Sequence, residues 1–557
     1  MTATEKFTRA RQFLLSHRDD YEKAYSEFRW PDLADFNWAR DWFDVYAEHN
    51  HKTALWLRSE GKGELKISYR ELADRSDRVG HFLQGQGVEP GDRIVLCLPN
   101  VCAIWELMLA AVKIGAVVVP TTTLATESEI RDRLDRSGAR LVVTDESALT
   151  RIPPEAELKR ILVGGHDDGW TPYDAALEES RTYKVVATHA SDPFLLYFTS
   201  GTTATTKLVL HTHQSYPAGH LSTMYWIGIQ EDDIHQNISS PGWAKHAWSC
   251  VFAPWNAGAT TFVYDAPRFK PANALRALQE VGVTTLCAPP TVWRMLIRDE
   301  LGSKPHGLRE LASAGEPLNP EVIERVEKAW GRVIRDGYGQ TETTAIIGNS
   351  PGQTVKTGSM GRPLPGYQIA VVDLNDQECR EGEVTVRLVP RPAGLMTGYM
   401  DDPARTQAAM QNGLYHTGDQ ALVDDSGYFY FVGRGDDVFK SSDYRISPFE
   451  LESTLMEHPL VAEVAIVPSS DAIRTNVPKA FVTLVADAQP SEQTAREILM
   501  FAKEKLAAYK RVRKLEFGEL PKTVSGKIRR AELRKMEAQR VSDGQRGALE
   551  FWLRDFE

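Results

Sequence analysis

From Ile67 onward the apolar positions alternate between two spacings. Segments with helical spacing, YRELADRSDRVGHFLQGQG (69–87) and ELMLAAVKIG (106–115), each precede a short unbroken apolar run, RIVLCLP (93–99) and AVVVP (116–120). LVVTDE (141–146), RILVGG (160–165) and FLLYFTSG (194–201) are further runs of this kind, ending in polar or glycine-rich turns. Unbroken apolar runs this short read as strands covered on both faces, and the helices between them supply the cover. The pattern therefore predicts an α/β protein with a large N-terminal body of helix-flanked β-sheets. Residues 1–50, rich in charge, Trp and Phe, read as a helical lead-in.

The pattern changes near GRGDDVFK (433–440). Before it, DDSGYFYFVG (424–433) looks like a hairpin strand after a glycine turn. After it come a helix (PFELESTLMEHPL), two strands (AEVAIVPSS and AFVTLVAD), a second helix (AREILMFAKEKLAAY) and a basic loop. This predicts an N-terminal domain over 1–434, a small α+β domain over 435–540 and a C-terminal extension over 541–557.

Composition narrows the function. Hydrophobic residues are 42% and charged residues 25% of the chain, ordinary globular usage that excludes a disordered, collagen-like or coiled-coil protein. Lys and Arg total 65 against 76 Asp and Glu, a net charge of -11 that argues against nucleic acid as partner. A local basic pocket for one phosphorylated ligand remains compatible with it. The five cysteines are scattered without a CxxC pair, so neither a disulfide framework nor a zinc site is indicated, and a reduced, cytoplasmic setting fits. The most apolar run, LMLAAVKIGAVVVP (107–120), is too short to cross a bilayer and carries Lys113, so no membrane is expected.

Four segments carry chemistry. LLYFTSGTTATTKLV (195–209) is a buried strand delivering Thr199, Ser200, Gly201, Thr202 and Thr203 and then Lys207, hydroxyls and N–H groups that wrap a phosphate beside a cation. DGYGQTE (336–342) combines a tight glycine turn with the Thr341 hydroxyl and the Glu342 carboxylate, which suits Mg²⁺ beside a nucleotide. In YHTGD (415–419), Asp419 is placed to accept ribose hydroxyls. PKTVSGKIRR (521–530) is a basic loop whose Lys527 would stabilise charge on a reacting phosphate. Taken singly, each also fits a solvated turn or an ordinary surface loop.

Jointly, their order and spacing resemble the adenylate-forming superfamily of acyl-CoA synthetases, luciferases and peptide-synthetase adenylation domains. SAGEPLNPEV (313–322), GRPLPGY (361–367), GYFYFVGRGDDVFKSSDYRISPFELE (427–452) and AAYKRVRKLEFGELPKTVSGKIRRAELR (507–534) extend the match from about Ile67 to about Arg534, most like the medium-chain and aromatic acyl-CoA synthetases. The resemblance implies ATP and Mg²⁺, with CoA as co-substrate. A carboxylate attacks the α-phosphate to give an acyl-adenylate, and a thiol then displaces AMP. It implies a mobile small domain that rotates between the two half-reactions about Asp436. The loop from Thr199 to Lys207 would cover the β- and γ-phosphates. Gly315, Glu316 and Pro317, with Asp336, Gly337 and Tyr338, would line the adenine slot. Thr341 would bind the α-phosphate and Glu342 the metal. Asp419 and Arg434 would hold the ribose, Arg445 would approach the phosphates, and Lys527 would bridge carboxylate and α-phosphate. Arg474 and Lys479 fall where relatives gather CoA phosphates. The acyl pocket would involve Trp243, Lys245, His246 and Gly339.

The chain departs from the family pattern in places. In the phosphate loop, Ala204 and Leu208 replace glycines and Thr206 replaces a proline, while Lys207 is kept. On the CoA side, Asp443 and Thr475 stand where the family has glycine. A side chain at 443 would crowd the pantetheine tunnel, so two readings stay open. One is a CoA ligase for an aromatic or medium-chain acid. The other is adenylation with a different acceptor: an amine, a carrier protein, or nitrite activation for diazotising an aryl amine. A non-catalytic nucleotide-binding protein is disfavoured by Lys207, Glu342, Asp419 and Lys527. Lys245 and His246 either point to solvent or face the pocket, and in the second case the acid is aromatic or short and bears a polar or anionic group. A homo-oligomer is left open.

Overall fold

The computed structural model describes all residues except 62, 155–156, 200–205, 267, 299–300, 442–443, 472–473, 524–526 and 557. The chain divides into two compact units, Met1–Ile369 with Val386–Tyr415, and Ala370–Thr385 with His416–Glu557. The break near residue 434 expected from the sequence therefore falls inside the second unit.

The first unit holds two sheets. In one, the strands Arg93–Cys97, Val117–Thr121, Leu141–Asp145 and Lys159–Val163 run parallel. Their interiors are branched aliphatic residues, buried as the unbroken runs predict. The helix Cys102–Ile114 packs here with nearly every residue buried, and Gly115 ends it in the left-handed conformation at φ 74°. Pro193–Thr199 joins this sheet in parallel, and Lys207–Thr212 returns antiparallel beside it. Gly398–Tyr399 then pairs with Lys207–Thr212.

In the other sheet, Thr260–Asp265, Ile234–Asn237, Thr285–Ala288, Glu310–Ser313 and Ile334–Gly339 are parallel neighbours. Phe262, Leu286, Trp293, Leu311, Val326 and Trp330 fill the space between these strands and their helices. The lead-in is helical over Ala3–Ser16 and Tyr21–Glu27. Its buried Arg11 donates to the carbonyls of Asn256 (2.6 Å) and Ala257 (2.7 Å), docking it on the body.

In the second unit, Leu414–Val423 and Phe429–Arg434 form the expected antiparallel hairpin. A four-stranded sheet orders Val461–Asp471, Thr475–Leu484, Lys514–Phe517 and Glu550–Trp552. The helices Pro448–Met456 and Glu492–Lys505 supply Leu451, Leu455, Ile498 and Leu499 to the core beside Ile466, Val482 and Leu515. The extension is part of this core. Glu550–Trp552 pairs with Lys514–Phe517, and Leu553 is fully buried.

Candidate active site

The pairing of Pro193–Thr199 with Lys207–Thr212 sets Thr199 opposite Lys207. Ser200, Gly201, Thr202 and Thr203, with Ala204 and Thr205, lie outside the described residues. The Lys207 ammonium stands 3.7 Å from Glu342 Oε1 and 3.4 Å from the Tyr399 hydroxyl. That hydroxyl donates to the same Glu342 oxygen at 2.9 Å. Burial and the neighbouring carboxylate both hold the Tyr399 phenol protonated, far above its ordinary range. Cation, carboxylate and phenol thus form one cluster.

Tyr399 was not among the residues singled out from the sequence. Its dipeptide strand carries no motif, and only the pairing of Gly398–Tyr399 with Lys207–Thr212 brings it to Lys207. His211 was missed for the same reason. Its Nε2–H donates to the Thr341 carbonyl at 2.7 Å while Nδ1 meets the Ser215 hydroxyl at 3.0 Å. Burial pushes this imidazole down to about 4, so it stays neutral and holds the turn bearing Thr341 and Glu342. The Met396 N–H fixes the same turn by donating to the Glu342 carbonyl at 2.8 Å.

Asp336 and Gly337 belong to the strand Ile334–Gly339, and both are buried. Burial pushes the Asp336 carboxyl up to about 8, against the lowering effect of the Gly337 and Leu318 N–H groups and of Lys245. A Cβ on Gly337 would sit 2.2 Å from the Trp226 indole, whose N–H donates to the Asp336 carbonyl at 3.2 Å. A Cβ on Gly339 would meet the Thr344 carbonyl at 2.1 Å and the Trp248 ring at 2.8 Å, so the Thr344 backbone, with the indole beside it, leaves room for glycine alone. Tyr338 is half-buried beside them. Gly315, Glu316 and Pro317 follow the strand Glu310–Ser313. Glu316 is held by the Thr291 hydroxyl at 3.2 Å and by Arg294 at 3.3 Å.

At the expected acyl pocket, Trp243 precedes the short helix Ala244–Ala247. On that helix His246 is buried and Lys245 half-buried. The Lys245 ammonium donates to the Ala314 carbonyl at 3.1 Å, one residue before Gly315. His246 points elsewhere, with Nε2 at 3.1 Å from Asn100 Oδ1 and its ring 5.4 Å from that of Trp105. Burial pushes His246 down to about 3, leaving it neutral. Trp248 is buried against His220, with ring centres 5.5 Å apart.

In the second unit, Asp419 lies in register with Arg434 across the hairpin. Asp419 is buried and Arg434 exposed, with its Nε 3.6 Å from Asp436 Oδ1. Arg445, on the strand Tyr444–Ile446, donates to Gln420 Oε1 at 3.0 Å, beside Asp419 in sequence. Asp437 takes Arg530 at 3.2 Å and also pairs with Arg534. Asp436 lies 3.7 Å from Arg534. Lys527 is exposed, and its carbonyl accepts from the Thr523 N–H at 2.7 Å. Arg474 is exposed near Thr475, whose φ is 65°. Ser442 and Asp443 lie outside the described residues.

Lys479 requires a correction. Its ammonium is fully buried and bound by Glu516 (2.8 Å), Glu537 (2.6 Å) and Glu550 (2.8 Å), so it is not available to CoA phosphates. Burial alone would push this ammonium down, and the three carboxylates outweigh burial and raise it.

Residues 42–400 match the AMP-binding enzyme family and residues 450–527 match the AMP-binding enzyme C-terminal domain. The chain belongs to the AMP-binding enzyme family, and with this fold it is an AMP-forming ligase that activates an acid with ATP through an adenylate. It is 42% identical over 533 residues to 4-hydroxybutyrate--CoA ligase 1 of Metallosphaera sedula, covering 93% of this chain and 94% of that protein. Human acyl-coenzyme A synthetase ACSM3, mitochondrial, is 38% identical over 541 residues, covering 93% and 92%. The anthranilate CoA ligase AuaEII in complex with anthranoyl-AMP superposes with a TM-score of 0.82 at 27% identity, covering 91% of this chain and 98% of that one. A benzoate CoA ligase from Burkholderia xenovorans LB400 gives a TM-score of 0.78 at 27% identity, covering 90% and 100%. Among the described residues, no helix is long and apolar enough to cross a membrane.

Proposed function

We propose that this protein joins a short or aromatic carboxylic acid bearing a polar group to CoA, by way of the acyl-adenylate. The observation that carries the adenylation half is the Lys207–Glu342–Tyr399 cluster at the end of the strand that follows the phosphate loop. An ammonium already drawn to the metal-ligand carboxylate is poised for phosphate oxygens when nucleotide arrives, which limits reorganisation in the transition state. Glu342, with the Thr341 hydroxyl one residue before it, is the oxygen donor set that Mg²⁺ takes beside nucleotide phosphates. Bound there, Mg²⁺ would neutralise phosphate charge. Thr341 orients the α-phosphate, and Asp419 with Arg434 holds the ribose. Lys527 supplies the charge that bridges acid and phosphate.

The choice of acid rests on the helix Ala244–Ala247. A half-buried ammonium at Lys245, bonded to the Ala314 carbonyl, disfavours a long aliphatic tail, because burying charge against hydrocarbon is costly. The Trp248 indole pressed on Gly339 favours a short or flat acid. The named substrates of the relatives, a hydroxybutyrate, an anthranilate and a benzoate, are of this kind. CoA as acceptor is supported by Thr475, which keeps the left-handed turn that a glycine would form.

The test is a panel of straight-chain, hydroxy and aromatic acids, assayed for AMP release with and without CoA. A thioester product from short hydroxy or aromatic acids is expected. AMP or pyrophosphate release indifferent to CoA would replace the thiol with another acceptor, and a preference for long aliphatic acids would remove the assigned role of Lys245.

A further inference from the structure

Lys207 is preceded by Thr206, where the family pattern has proline, so the ring that would fix the backbone ahead of the lysine is missing. The first unit supplies a different restraint. The helix Glu127–Ser137 starts in a capping box, with Thr126 accepting from the Glu129 N–H and the Glu129 carboxylate accepting from the Thr126 N–H. The helix presents Asp132, Arg133 and Arg136 on one face, as spacings of three and four residues dictate. Arg136 Nη1 donates to the Thr206 hydroxyl at 2.7 Å, and Nη2 donates to the Thr206 carbonyl at 2.8 Å. That hydroxyl donates in turn to Asp132 Oδ2 at 3.4 Å. The guanidinium centres of Arg133 and Arg136 lie 5.6 and 5.5 Å from the Phe198 ring centroid, and Phe198 pairs with Leu208 in the sheet. The fork therefore grips both polar groups of Thr206 while resting on the strand that faces it.

We propose that Arg136 is a positioning residue for ATP: its bidentate hold on Thr206 replaces the missing proline and fixes the backbone that aims Lys207 at the phosphates. The proposal rests on the reading of Lys207 as a phosphate ligand. Arg136 itself has no part in the chemistry, and its side chain is 32% exposed, outside the hydrophobic core. A lysine could not reproduce the two-pronged geometry.

The experiment measures KM for ATP and for the acid by ATP–pyrophosphate exchange, with thermal midpoints, in the full chain and four variants. Arg136→Ala should raise the KM for ATP roughly five- to tenfold, the size of losing a charged hydrogen-bond pair at a partly exposed site, and leave the acid KM unchanged. Arg136→Ala with Thr206→Pro should recover most of the ATP affinity, since proline restores a fixed φ. Lys207→Ala should raise the KM for ATP by itself, and adding Arg136→Ala to it should change little more, because the two act on one contact. An unchanged ATP KM in Arg136→Ala, an equal rise for acid and ATP, or no recovery with Thr206→Pro would overturn the role of Arg136. If Lys207→Ala alone left the ATP KM unmoved, the reading of Lys207 would fall instead.

Discussion

Burial at one residue and left-handed backbone at another each leave a measurable signature. Burial pushes the Asp336 carboxyl from its ordinary 3.8 up to about 8 in the folded chain. Between these values the folded chain holds a proton that the unfolded chain has released, so this group's contribution to stability falls as pH rises from about 4 to 8. Asp336→Asn should flatten that part of the thermal midpoint against pH and gain on the parent protein at pH 8 relative to pH 5. An unchanged slope would mean that the carboxyl is ionised despite its burial. Thr475 is the second case. Its φ of 65° puts a β-branched side chain in left-handed backbone, which costs about 1 kcal/mol or more. Thr475→Gly should therefore raise the denaturation midpoint by about 1 kcal/mol of stability, less whatever glycine adds to unfolded-state entropy. A lowered midpoint would show that Thr475 makes compensating contacts. The need for glycine at this turn was readable from the family pattern. The buried titration of Asp336 was not, because it comes from Trp226 and the strands around it, which are distant in sequence.

Among the elements, those covered on both faces were the most legible. RIVLC, VVVPT and LVVTD need no partner to be recognised, since a strand with two buried faces is apolar at every position. Elements that matter through pairing alone were not legible. Gly398–Tyr399 is two residues long, and Glu550–Trp552 opens a tail, EFWLRDFE, too short to show a period. The second of these decides the fate of Lys479. Glu550 on the tail strand completes a carboxylate cage around a lysine that sequence position alone would send to CoA. Lys479→Met should destabilise the chain by about 3–5 kcal/mol, because it removes the cation shared by Glu516, Glu537 and Glu550, of which Glu516 keeps Arg540 at 2.6 Å. Arg474→Ala, on the exposed side of the same hairpin, should leave the urea midpoint unchanged and raise the KM for CoA. Equal stability losses in the two variants would contradict the split between cage and binding surface.

At the scale of the whole molecule, the proposed function asks for one strong cation at the α-phosphate during adenylation, and the residue it assigns to this task, Lys527, belongs to the second unit. Lys527 is exposed, and its carbonyl accepts from the Thr523 N–H. The helix that follows, Arg530–Ser542, is fixed at its first turns by Arg530 on Asp437 and Glu452 and by Arg534 on Asp437. These ion pairs all lie within the second unit. Replacing the ammonium removes charge stabilisation without touching the nucleotide's other ligands. Lys527→Ala should slow ATP–pyrophosphate exchange by about 10²–10³-fold, the usual loss for one preorganised group facing developing charge, while the dissociation constant for ATP stays close to the parent value. Thioester formation from a supplied acyl-adenylate uses the other half of the cycle and should be spared. Loss of both halves together would mean that the variant has disturbed the second unit as a whole, and unimpaired exchange would assign the cation's work to Lys207 or Arg445.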